Sequence, residues 1–425
     1  MPMSDDKLAL VAQVLASAPP EAVQRLEAVL GTARMADPSL QPVHALAAEE
    51  SLLRRTLGAV FAPLIPLTDS KPPRRALFSM RQLREAWGRV AAEDPGLAEC
   101  AAFAAATPLR NGEEPPDEFD LACARAANLV SDPRLSRVLR FSRILRGLQP
   151  RLPGWVRNPT GANIAAIRLA FKDALDLDED AGALFWEAVM GMLEEPWQVL
   201  RLISAATDRP SDRYLAASEL SSIGERILRD IDERIDALKR FDPTGGVAAG
   251  GAAAASATVI VEEIAEFEHW IVMTREGPWG ERIAEQKAAA ARVMEARLRE
   301  AELAIGSALP VQSKAATLNV RPAPKLATDP LPARRTRAEA YLALLEDSRS
   351  SAGAGGFASA RNKTAEWVEQ RIEQYCEDLL DLISRKESKE PARVRAYFDL
   401  ATDLYERLKG MNAAQTFRRR AASAS

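Results

Sequence analysis

The sequence predicts an all-α fold of multi-helix bundles, with a long antiparallel helical hairpin in the centre and a small C-terminal helical domain. Three observations carry this expectation. Aromatic residues, which favour strands, make up only 6% of the 425 residues. Good helix formers, namely Ala, Leu, Arg and Glu, dominate nearly every segment. Leu220, Ile223, Ile227, Ile231, Ile235 and Leu238 advance in steps of three and four, the period of a straight helix with one buried stripe.

Along the chain, Glu21 to Leu30 carries Val23, Leu26, Val29 and Leu30 on one expected face and should stop at Gly31. A helix over Ser51 to Phe61 runs into Pro63 and Pro66, and another over Met80 to Ala92 ends before Asp94-Pro95-Gly96. NGEEPPDEFD, Asn111 to Asp120, reads as an exposed acidic loop leading into the helix that holds Cys123. The uncharged run Pro243 to Val261 approaches the length needed to cross a bilayer. It is mostly Gly and Ala, which contribute little transfer energy, so it reads as a low-complexity connector and not as a transmembrane segment. It would join the Leu220–Leu238 helix to a second long pattern, Val259 to Leu309, kinked at Gly277-Pro278-Trp279-Gly280.

Residues 311–336 contain four prolines and few large apolar side chains, which reads as a flexible linker. Helices should follow at Thr336 to Glu346, Asn362 to Ser384 and Pro391 to Arg420, with Gly410 dividing the last into a hairpin. The expected partition is an N-terminal helical domain at 1–157, a central long-helix bundle at 158–310, the linker at 311–336 and a C-terminal helical domain at 337–425.

Hydrophobic residues at 47% and charged residues at 27% describe a chain that folds. A net charge of −4 with a pI near 5.7 gives no overall attraction to nucleic acid or anionic lipid, so any polyanion site must be local. Cys100, Cys123 and Cys376 form no C-x-x-C pair and fit reduced thiols in a cytoplasm. Asp5 and Asp6 stand where a secretory signal needs positive charge, so none is expected. Abundant Ala and Arg beside few Lys, Asn and Ile fits a high-GC bacterium.

Two histidines leave little scope for the commonest general acid–base chemistry, and hydrolase, P-loop and dinucleotide signatures do not occur. No catalytic residue and no organic cofactor is therefore assigned. One metal candidate stands out. Asp176, Asp178, Asp180 and Glu187 occupy positions 1, 3, 5 and 12 of a calcium loop, where a hard cation gathers oxygens. Ala181 replaces the glycine of position 6, and Gly182 comes one place late. The plainer reading is an acidic turn capping the next helix. With Asp232 and Asp236, four apart on one helix face, the same cluster would instead make a magnesium-diphosphate site. Glu266-Phe-Glu-His269 is half of a di-iron motif without its second copy, which reads as a charged helix surface.

Arg134, Arg137, Arg140, Arg143, Arg146, Arg151 and Arg157 face only Asp132 within residues 131–157, a local net charge of +6. The planar arginine fork suits carboxylate or phosphate. Steps of three drift by about 60° each around a helix, so the first five sweep about 240° and form no single stripe. They are expected either to pair with acids near 113–120 and 176–180 or to hold an acidic partner, RNA or an anionic membrane, with Trp155 available to stack. Smaller basic clusters lie at Arg334, Arg335 and Arg337 and at Arg418 to Arg420. The function these features suggest is a cytoplasmic, non-enzymatic interaction or scaffold protein that binds a protein partner through helical surfaces. The alternatives are a calcium- or magnesium-dependent protein and a polyanion binder.

Overall fold

The computed structural model describes residues 4–35, 37–65, 77–107, 115–207, 210–312, 323–385 and 390–424. Among them the protein is all-α, with isolated bridges and no strand. Contacts separate two compact units, Met1–Pro210 with Ala217–Ile223, and Ser211–Ala216 with Gly224–Ser425. Pro66, residues 111–114 and residues 313–322 of the expected linker lie outside the described residues.

The first unit holds α1 (Asp5–Ser17), α2 (Pro20–Ala33), α3 (Gln41–Val60), α4 (Met80–Glu93), α5 (Pro95–Ala106), α6 (Asp117–Leu129), α7 (Pro133–Arg140), α8 (Ser142–Leu148), α9 (Leu152–Arg157), α10 (Gly161–Leu177), α11 (Gly182–Met192) and α12 (Val199–Ala206). Helix α4 starts on a reciprocal cap: Gln82 N–H donates to Ser79 Oγ while the Gln82 side chain accepts from Ser79 N. Helix α2 departs from its expected single face. Val23 and Leu30 are buried with Leu15 and Ala47, whereas Leu26 and Val29 are exposed, and the helix continues past Gly31.

Contacts divide the chain near 210–224, whereas composition placed a boundary after 157. The reason is an aromatic cluster spanning that position. Phe185 lies 6.2 Å from Phe141, 5.5 Å from Phe171 and 5.2 Å from Trp186 by ring centroids. Glu50 of α3 adds a polar tie. It accepts from Arg54 Nε at 2.6 Å and from the Arg84 guanidinium of α4, while Arg54 also donates to Leu15 O at the end of α1.

The second unit contains α13 (Asp212–Ala216), α14 (Ser221–Lys239, from Gly224 onward), α15 (Gly246–Trp270), α16 (Pro278–Ala308), α17 (Pro332–Asp347), α18 (Ala358–Arg385), α19 (Pro391–Lys409) and α20 (Met411–Ala424). All six residues of the predicted α14 stripe are buried. The Pro243–Val261 connector is a correction: it lies within a short turn and the 25-residue helix α15. Gly and Ala supply no hydrophobic stripe to read, but they supply close packing. A Cβ on Gly250 would come within 2.0 Å of Ala340 O on α17. Pro243–Trp270 is also the one stretch among the described residues long and apolar enough to cross a membrane by length and composition.

Paired residues give the directions. Ser307–Arg334 and Glu300–Tyr341 make α16 and α17 antiparallel, and Glu369–Lys409 and Glu373–Tyr405 do the same for α18 and α19. Thr364 reaches Glu302 and Arg371 reaches Leu309, so α16 and α18 run parallel. Successive helices thus alternate, and α15–α17, α16–α18, α17–α19 and α18–α20 pack as next-but-one neighbours in two layers. The expected second arm is two helices, and α16 turns back to run parallel to α14, Glu225 meeting Arg282 and Leu228 meeting Gln286. The expected kink is a break, Ile271 to Gly277, before α16 begins at Pro278. At the other end Gly410, with φ 85°, separates α19 from α20 as the sequence indicated. The C-terminal helices pack on this same unit. Beside them Gln312 N–H donates to Ala323 O and Lys325 N–H to Pro310 O, tying together the described ends of the expected linker.

Two outcomes follow for stability. Gly250→Ala forces the α15–α17 contact apart and should cost about 1–3 kcal/mol despite the better helix propensity of Ala. Gly251→Ala meets only the Asp347 carboxylate, at 3.3 Å, and should be near neutral; urea unfolding of both variants checks this contrast. Burial works against ionisation of Glu50, but hydrogen bonds from Arg84 and Arg54 outweigh it and hold the carboxyl below its usual range. Its stabilisation is therefore present above the ordinary Glu value and is lost as pH falls through the lowered one. Glu50→Gln should lower Tm at neutral pH, with the difference from wild type closing below about pH 4.

Candidate functional site

The two features singled out in the first unit meet each other. Arg134 donates to Glu187 Oε2 at 2.6 Å, and Arg137 donates to Asp180 Oδ2 at 2.6 Å with its Nε 3.4 Å from Asp178 Oδ2. In a calcium loop these carboxylates would converge on one cation, whereas here each holds a guanidinium. Asp178 also accepts from Asp180 N–H at 3.0 Å, capping the turn before α11, and Asp176 is exposed. The late Gly182 has its own reason: a Cβ there would meet the Glu219 carboxylate at 2.0 Å. Among the described residues no group of three or more His, Cys, Asp or Glu side chains is arranged to hold a metal.

Arg146 is the most committed of the seven arginines. Helix α3 ends at Val60, leaving its last carbonyls without intrahelical partners. Arg146 donates to Ala59 O at 2.6 Å and Val60 O at 2.7 Å, while its Nε bonds Asp120 at 3.2 Å. Cys123 Sγ–H also donates to Val60 O, and burial pushes this thiol up to about 11. Arg143 lies more loosely, 3.7 Å from Asp120. Arg140, Arg151 and Arg157 are exposed, and among the described residues their side chains have no hydrogen-bond or ion-pair partner. Trp155 is buried, so it is not free to stack on a base. The C-terminal basic cluster is likewise largely engaged: Arg418 bonds Asp403 and Glu406, and Arg420 bonds Glu377 through two nitrogens.

The second unit carries a feature that sequence reading touched only at Asp232 and Asp236. A groove of about 1130 Å³ runs between α14 and α16. On the α14 side Asp232 accepts from Arg282 at 2.9 Å and from Gln286 Nε2 at 2.7 Å, and Asp236 holds Lys239 at 2.9 Å. These acids lie in a different compact unit from Asp176–Glu187. On the α16 side Glu281, Glu285 and Arg292 are exposed and, among the described residues, form no ion pair. Alanines 284, 288 and 289 line the groove between them. Charges this ordinary carry no motif, so the only available signal was the Glu-Ala-Arg spacing along one helix.

No family model, curated protein or solved structure matches this chain.

The arginines should separate into two classes on mutation. Arg146→Ala leaves Ala59 O without its donor, Val60 O with only the weak Cys123 thiol and Asp120 with only the loosely placed Arg143, and should cost about 3 kcal/mol. Arg137→Ala removes a half-exposed pair and should cost less than about 1 kcal/mol. Chemical denaturation of both variants checks the ranking, and equal losses would contradict it.

Proposed function

We propose that this chain is a non-enzymatic interaction or scaffold protein of the cytoplasm that binds a protein partner through helical surfaces. One observation supports the reading best: the two-layer stack of the second unit keeps a long face of α16 uncovered, with free charges and alanines beside a groove of about 1130 Å³. Stacked helix layers expose extended surfaces that suit recognition of another polypeptide. Free charges at such a surface favour partner selection and orientation more than raw affinity. Of the three thiols Cys100 is exposed, and all three are unbridged, which accords with a reducing compartment.

The reading is tested on the full chain, captured from its own cells by an affinity tag and analysed by light scattering coupled to size exclusion. The expected result is a discrete second polypeptide in fixed stoichiometry. Recovery of the chain alone, together with turnover in a broad substrate screen, would overturn the proposal.

A further inference from the structure

Helix α16 carries Glu281, Glu285, Ala288 and Arg292 within about 60° of one another around its axis. The acids sit near its N-terminus, and Arg292 stands about 10 Å further along than Glu285. All four line the groove between α14 and α16. The three charged side chains have no ion pair among the described residues, so their full charge faces an incoming ligand.

Gln286 fixes the side of α16 that meets α14 beside this groove. The residue is 4% exposed, and its Nε2 is used twice, on Leu228 O at 2.7 Å and on Asp232 Oδ1 at 2.7 Å. Its Oε1 is buried and accepts no hydrogen bond. A buried carbonyl oxygen left without a donor is costly. Turning the amide over would set its oxygen against Leu228 O and Asp232, two acceptors, so the amide orientation is fixed by its neighbours.

We propose that this groove docks an amphipathic helix of the partner polypeptide, running antiparallel to α16. Two basic side chains, four residues apart, would lie on Glu281 and Glu285. An acidic side chain would lie on Arg292. The direction follows from helix electrostatics. Antiparallel docking brings the partner's basic residues to its own C-terminal end and its acid to its N-terminal end, where each suits the helix dipole. The alanines at 284, 288 and 289 let the backbone of a second helix come close. This inference rests on the scaffold reading and names the class of segment recognised.

The probe is a fluorescein-labelled, alanine-rich helical peptide carrying a glutamate followed seven and eleven residues later by lysines, the spacing set by Arg292, Glu285 and Glu281. Fluorescence anisotropy with the full chain at low salt should show saturable binding that weakens as salt rises. Glu281→Lys with Glu285→Lys should weaken it about tenfold or more, and a peptide with its charges exchanged should bind that double variant better than wild type. Ala288→Trp, at an exposed position, should abolish binding without altering a charge, with circular dichroism confirming the fold. Equal binding of a peptide whose glutamate is moved between its lysines would overturn the inference, as would no saturable binding to wild type. In cells, a partner captured equally well by wild type and the double charge variant leaves the scaffold reading standing and sinks this one; capture by neither sinks both.

Discussion

Much of this fold depends on arginine forks that close the ends of helices. Each helix leaves its last carbonyls without intrahelical partners, and a chain made of twenty helices among its described residues multiplies that problem. Water can satisfy such groups at the surface, but not where one helix ends against another. In the first unit Arg54 closes α1, Arg89 closes α6, Arg146 closes α3 and Arg201 closes α9. In the second, Arg371 bonds Leu309 O beyond α16 and Arg361 bonds Leu345 O near the end of α17. Each contact satisfies a carbonyl, places a cation at the negative end of a helix dipole and ties one helix to another. The planar fork lets Arg146 hold two carbonyls and a carboxylate at once, a geometry lysine does not offer. The arginine-rich composition is therefore largely a consequence of building with many helices, several of them short.

The second unit adds a constraint of shape. Helix α15 presents Gly246, Gly250, Ala253, Ala254 and Ala257 as buried positions, and Gly250 brings its backbone against the Ala340 carbonyl. Small side chains bury little apolar area each, so the contact gains mainly through closeness and the dispersion that closeness allows. Once α15 and α17 lie this near in one layer, α16 and α18 form the other. Helix α16 is then buried along Ile283, Met294, Leu298 and Ile305, while the face from Glu281 to Arg292 remains open.

Legibility in the sequence followed the size of the side chains. The α14 stripe was readable because large aliphatic residues repeat at the helical period, and all of them are buried. The break at Gly410 was readable because a glycine there takes a positive φ. Helix α15 was not readable over its first half, since Gly and Ala register neither period nor burial until a neighbouring helix is known. The two faces of α2 were merged into one for a related reason: apolar identity does not say which side of a helix a second layer covers, and Leu26 and Val29 ended outside. The aromatic cluster that spans residue 157 was not legible because it joins residues far apart in sequence.

Charge shows the same principle in reverse. The conspicuous features, seven clustered arginines and four spaced acids, largely neutralise each other or close helix ends, leaving three of the arginines free among the described residues. The inconspicuous charges of α16 survive folding without partners. A run of like charge cannot remain packed inside a fold unless something opposes it, so folding selects conspicuous clusters for internal use. Isolated charges on a mixed helix face meet no such demand, and those left beside an alanine floor keep their full field for an incoming group. Local charge in a sequence is therefore a poor guide to charge at a surface. What remains after each ion pair and each helix end has taken its share is the better one, and in this protein that remainder includes Glu281, Glu285 and Arg292 along α16.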